Sequence, residues 1–167
     1  MMNKRAQIYG QIFIYILLIL VFASILVYGV YAISQLVMRA ERIEIEKFKM
    51  DMKNLVAENR EYNTVDVVEV KLPSKFSQLC FVDSTALGTT VSVHTTETAP
   101  KEIHLINDKI MSGAKDNMFL YPPGSESYDV GKIQVSGSSK CFGADYNHNV
   151  KIKFRGLGDK TEILEIP

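Results

Sequence analysis

The sequence has no tryptophan, only two cysteines, three histidines and five prolines among 167 residues, and no surplus of either charge: 19 Lys+Arg face 19 Asp+Glu. Each shortage excludes something. The balanced charge provides no basic field for nucleic acid and no acidic block to buffer cations. Two cysteines are too few for a disulfide-rich scaffold. There is no Asn-x-Ser/Thr acceptor for an N-glycan, no internal repeat and no low-complexity linker. The most informative absence is local: no charged residue stands between Ala6 and Met38, whereas charges recur every few positions from Arg39 onward.

That uncharged stretch is apolar, rich in Ile, Leu, Val, Tyr and Phe. A bilayer core about 30 Å thick needs roughly 20 apolar residues in a helix, so the segment spans with length to spare. A removable secretory signal has an apolar core of about 7–15 residues; here the run continues from Ile12 through Tyr28, Val30 and Ile33, which predicts a retained anchor. Lys4 and Arg5 precede it with no opposing acid, while Arg39, Arg42 and Lys47 beyond it alternate with Glu41, Glu44 and Glu46. The expected orientation has the N-terminus in the cytoplasm and the C-terminal domain outside the cell.

The expected organisation is a basic leader over 1–6, a transmembrane helix over 7–38, a juxtamembrane amphipathic helix over 39–62, and an extracytoplasmic β-rich domain over 63–167. No Pro or Gly interrupts Arg39–Tyr62, so the helix is expected to continue to about Glu61. In that stretch Ile45, Phe48, Met52, Leu55 and Tyr62 keep a three-four spacing, with Asn59 filling the missing turn, as a one-faced helix requires. The preferred reading of this stripe is packing on the following domain; a self-association seam is the other.

From Thr64 the texture becomes strand-like. Strands are predicted over Val65–Leu72, Gln78–Val82, Thr90–Thr95, Ile103–Ile106, Met118–Tyr121, Lys132–Val135, Lys140–Phe142, Val150–Phe154 and Thr161–Ile166, with a short helix over Asn107–Gly113. Pro122-Pro123-Gly124 is a breaker, and Arg155–Lys160 a hairpin turn by composition. The fold class is therefore α+β: a long N-terminal transmembrane helix extending beyond the bilayer, then a small, mostly antiparallel β domain, either sandwich or meander. Cys80 and Cys141 each precede Phe in strand-like surroundings. In an oxidising exterior they are expected to form one disulfide; two buried thiols are the alternative.

Signatures of catalysis are missing. His94, His104 and His148 have no ligand spacing with one another or with a cysteine. Gly156-Leu157-Gly158 is followed by Thr161 where a dinucleotide fingerprint needs its last glycine. Gly124-Ser125-Glu126-Ser127 lacks the glycine pattern of a nucleophile elbow. Glu44 with Glu46, and Asp83 with Asp108, read as solvated charge. No enzyme activity, cofactor or metal is expected.

The run Lys4-Arg5-Ala6-Gln7-Ile8-Tyr9-Gly10-Gln11-Ile12 resembles the leader of archaeal type IV pilin-like proteins with class III signal peptides. The resemblance covers the leader and first helix. It implies cleavage between Ala6 and Gln7 by a prepilin peptidase, with the helix kept as an anchor or as the core of a filament. Two positions depart from the pattern: Tyr9 replaces a small hydroxyl residue, and Gln11 replaces a glutamate. In that family the glutamate is thought to neutralise a neighbour's N-terminal amine inside an apolar core, where a lone charge is costly. Gln11 accepts a hydrogen bond but supplies no charge. Leu120-Tyr121-Pro122 and Gly156-Leu157-Gly158-Asp159 look similar to stretches of small archaeal membrane proteins.

The implied function is structural or adhesive: a non-catalytic, membrane-anchored surface protein acting through helix packing. Its partners would be the lipid bilayer, further copies of itself and prepilin peptidase. The alternative is a non-polymerising single-pass tether for a binding domain, or an accessory subunit of a membrane complex.

Overall fold

The computed structural model describes residues 4–88, 93, 104–122 and 126–166, the stretches 4–12 and 104–105 by backbone alone. The first helix, α1, runs Lys4–Glu58, and the chain divides within it into two compact units, Met1–Ile43 and Glu44–Pro167. In the first unit the apolar side chains from Phe13 to Met38 are exposed around the whole helix, many by more than half their surface. This is the one helix among the described residues long and apolar enough to cross a membrane, and it lies near the N-terminus. Water would not tolerate that surface, and lipid would. The unit fits a single-pass membrane anchor.

The second unit contains the last turns of α1 and eight strands with one short helix: β1 (Val65–Lys71), β2 (Gln78–Val82), α2 (His104–Met111), β3 (Met118–Tyr121), β4 (Ser127–Tyr128), β5 (Ile133–Val135), β6 (Ser139–Gly143), β7 (Asn149–Gly156) and β8 (Thr161–Leu164). They form two four-stranded sheets, ordered β1-β7-β8-β5 and β4-β3-β2-β6. Every pairing is antiparallel except β5 with β8. These orders are not a meander, because most neighbours are distant in the chain.

The sheets form a sandwich because alternation gives each strand one apolar side. Val70, Val150, Ile152, Phe154, Ile163 and Ile133 of the first sheet share a core with Leu79, Phe81, Met118, Leu120 and Phe142 of the second. Phe81 and Phe142 meet edge to face at 6.0 Å. Phe48, Met52 and Val56 of α1 are buried in the same core, with Ile45 and Leu55 packed at its margin. β2 is buried at every position. Its other side, with Cys80 and Val82, lies in a second cluster with Phe119, Cys141 and α2 residues Ile106 and Ile110.

Several boundaries differ from those expected. The helix stops at Glu58, not Glu61, where Arg60 N turns back to Ala57 O and Val56 O accepts instead from Thr161 Oγ1 of β8 at 2.7 Å. Asn59 returns its backbone N–H and Nδ2 to Leu55 O at 3.1 and 3.0 Å, and Asn63 adopts a left-handed φ of 67°. Tyr62 therefore falls beyond the helix and is 82% exposed, while Val56 takes its place in the buried stripe. His104–Ile106 belongs to α2 rather than to a strand, so the helix expected over Asn107–Gly113 starts earlier and ends at Met111. β4 was not anticipated. Thr90–Thr95 lies outside the described residues except for Val93, as do the side chains of His94 and His104.

Candidate functional site: the anchor helix and the disulfide-braced head

Ala6, Gln7 and Gln11 lie within the backbone of α1; their side chains are outside the described set. Beyond them the helix carries Ser24 and Ser34, whose hydroxyls donate to Val21 O and Tyr31 O at 2.8 Å each. These polar groups are satisfied by their own helix and need no partner in lipid.

Ile45, Phe48, Met52 and Leu55 occupy one face of the same helix in the second unit. Phe48 and Met52 are buried at 5% and 0% exposure, and Ile45 and Leu55 are half-buried. Removing so much apolar surface from water fixes the helix end to the head. Polar contacts then lock its last turn. Thr161 Oγ1 donates to Val56 O at 2.7 Å, supplying a partner to a carbonyl that the helix leaves orphaned. Thr64 Oγ1 donates to Asn59 O at 3.2 Å and Glu61 O at 2.8 Å. Gly158 N donates to Arg60 O at 3.0 Å, and Asn63 N donates to Gly156 O at 3.1 Å. The β7–β8 turn thus serves as the cap of α1.

Cys80 and Cys141 form a disulfide. They are directly opposite each other in the β2–β6 register, with Cα atoms 3.9 Å apart, so strand pairing alone brings the two sulfurs within bonding reach. Both are buried under α2.

A polar cluster organises the other end of β2, and Asp83, expected to be solvated charge, lies buried within it. Asp83 is buried; its Oδ1 accepts from Thr85 N at 2.8 Å and Thr85 Oγ1 at 2.6 Å, and its Oδ2 accepts from Val135 N at 3.0 Å. Asn117, 1% exposed, donates from Nδ2 to Gly131 O at 2.6 Å and accepts at Oδ1 from Val130 N at 3.0 Å. Ser84 Oγ accepts from Ile133 N at 2.9 Å. These side chains hold β5 to the end of β2 where no ladder joins them. An Asp-Ser-Thr run directly after an apolar strand was the available signal, since Asp commonly closes such a turn on the following amide.

The charge on Asp83 has a consequence for acid stability. Burial pushes its carboxyl up; the hydrogen bonds from Thr85 and Val135, with the charge of Lys160, outweigh this and hold it below the ordinary carboxylate value. A carboxyl with a depressed folded-state pKa stabilises the fold fully above its unfolded value, about 3.9. That contribution is lost as pH falls through the unfolded value towards the folded one. Asp83→Asn should melt lower than the parent at pH 7, with the gap narrowing below about pH 4. A constant gap from pH 7 to 3 would contradict this role.

Tyr128 also joins elements. Its hydroxyl donates to Glu126 and its ring lies 4.7 Å under Lys49 Nζ. Burial first, then the bond to and charge of Glu126, then Glu46 and Asp116, raise its phenol well above the ordinary value, so it remains a donor. Next to it Ser127 Oγ donates to Asp116 at 2.6 Å and accepts from Lys109 Nζ at 2.9 Å, tying β4 to α2.

Among the described residues no group of three or more His, Cys, Asp or Glu is placed to hold a metal ion. His148 is half-buried in the β6–β7 turn, with Nδ1 3.4 Å from Phe76 O. Asp83 and Asp108 serve different neighbours: Asp83 holds the β5 backbone, while Asp108 O accepts from Ser112 N at 3.0 Å at the end of α2. Comparison with protein-family models, curated proteins and solved structures found no match.

Proposed function

We propose that this chain is a non-catalytic, membrane-anchored surface protein of pilin-like type, with its N-terminus cytoplasmic and its β-rich head outside the cell. The observation that carries the reading is the division of labour along α1. From Phe13 to Met38 it offers lipid or other helices an uncharged surface on every side, whereas Phe48, Met52 and Val56 are built into the head core. A helix that both spans lipid and forms part of a head's core suits a subunit that presents or polymerises that head. The disulfide suits an oxidising exterior.

Intact-mass measurement of the native protein tests the processing step. A chain beginning at Gln7 is expected, and one retaining Lys4 and Arg5 would contradict it. Gln11 favours the second reading, a tether that does not polymerise, because it brings no carboxylate to a neighbour's amine. Gln11→Glu should therefore produce or strengthen filaments visible by electron microscopy; an unchanged appearance would count against this account of Gln11.

A further inference from the structure

The first strand of the head has an unused side. β1 pairs with β7 through Val65–Lys71, and at the ends of that ladder Gly156 N donates to Thr64 O at 2.9 Å and Leu72 N to His148 O at 2.7 Å. Antiparallel ladders alternate hydrogen-bonded and non-bonded pairs. The even residues from Thr64 to Leu72 therefore bond β7, and the N–H and C=O groups of Val65, Val67, Glu69 and Lys71 point away from the sheet. Among the described residues nothing pairs with that edge. No Pro or bulge blunts it, and Val65 and Val67 are each 55% exposed. Long edge strands are normally protected, because their free groups template another strand.

Beside this edge is a groove of about 340 Å³ between β1 and the last turns of α1. Phe48, Leu55, Val68 and Val70 form its apolar lining, Glu44, Lys47 and Asp51 bring charge to its helix side, and Glu69 and Lys71 bring charge to its strand side; Glu69 Oε1 also accepts from Asn149 Nδ2 at 2.8 Å. We infer that β1 and this groove are a docking site for an extended peptide segment of another protein, added antiparallel as a fifth strand of the sheet. Main-chain bonds to the odd residues supply affinity, and side chains on alternate faces supply selection. Residues of the incoming strand facing Val70 and Val68 point into the groove and are apolar. Those directly opposite Lys71 and Glu69 lie on the outer face and are acidic and basic respectively, so the segment reads acidic–apolar–basic–apolar.

The β1 strand of a second copy does not meet this requirement. Antiparallel self-pairing in the phase set by the odd residues, with at least three pairs inside β1, has five centres. Centred on Asp66, it opposes two aspartates. Centred on Val67 or Val68, it sets Glu69 against a valine; centred on Glu69, it opposes two glutamates. Centred on Val70, it matches Glu69 with Lys71 but brings Pro73, which has no N–H, opposite Val67.

The test uses the full chain in detergent micelles and the capped peptide Glu-Leu-Lys-Leu-Val-Lys-Val, labelled for fluorescence anisotropy. Saturable binding is expected. N-methylation of the peptide's third or fifth amide, which face β1, should abolish it, while N-methylation of the fourth or sixth should leave it intact. Exchanging the peptide's first Glu and first Lys should weaken binding about tenfold, and the double variant Glu69→Lys, Lys71→Glu should reverse that preference. Equal sensitivity to N-methylation in both phases would mean simple apolar adsorption and overturn the proposal. So would absence of binding at millimolar peptide, or concentration-dependent dimerisation of the chain through β1 that Val67→Pro removes.

Discussion

Gly156→Ala should destabilise the head by on the order of 3 kcal/mol or more. A Cβ at this position would collide with Glu61 O and Thr64 Oγ1 and come within 2.8 Å of Asn59 O. Two of these are backbone atoms in the segment that ends α1, so no rotamer change relieves the clash. Either the cap of α1 or the end of β7 must move, and Asn63 N–Gly156 O and Gly156 N–Thr64 O lie in the same place. A control separates this from conformational strain. Gly137 has φ +78° and open space around its Cα, so Gly137→Ala should cost only about 1 kcal/mol, the ordinary left-handed penalty. Thermal melting of both variants in micelles measures the difference. Equal, small shifts would show that α1 is not clamped to the β7–β8 turn as described.

Loss of the disulfide should be of similar size, by a different route. Cys80 and Cys141 are 61 residues apart in the chain, and the loop they close restricts the unfolded state by about 4 kcal/mol in the chain-entropy description. Cys80→Ala with Cys141→Ala should therefore lower the melting temperature by on the order of 15 °C. Much of the stability of a small domain, about 5–15 kcal/mol, would go with it. In the native protein neither thiol should react with maleimide before reduction. Free labelling of both, or a double variant that melts with the parent, would contradict the bridge.

The apolar span and the α+β class are legible because each rests on local patterning, and the disulfide because the chain has only two cysteines to pair; sandwich and meander share the same strand-and-turn pattern, and only the pairing of distant strands separates them. An uncharged run reads directly as a span. Gln78–Val82 and Met118–Tyr121 were bounded correctly, as compact apolar runs flanked by turn residues. Ile103–Ile106 misled because a short apolar run looks alike in strand and helix. α1 ends three residues before the expected Glu61 because Gly156, Gly158 and Thr161, all distant in the chain, take up backbone groups of Asn63, Arg60 and Val56 that another turn would use. Tyr62 was misassigned to the buried stripe for the same reason. The parallel pairing of β5 with β8 has no local pattern to announce it; in the Asp83–Asn117 cluster the Asp83–Thr85 turn is locally marked, whereas the reach of Asp83 to Val135 exists only in the fold. Tyr128 was hidden by the brevity of β4, two residues that carry no period.

The account depends on Phe13–Met38 residing in lipid, and alkaline carbonate extraction of membranes from cells making the full chain tests that most directly. The protein should stay in the membrane pellet and be released by detergent alone. Full-length chain recovered in the carbonate supernatant as a monodisperse monomer, with residues 12–38 confirmed by intact mass, would contradict it.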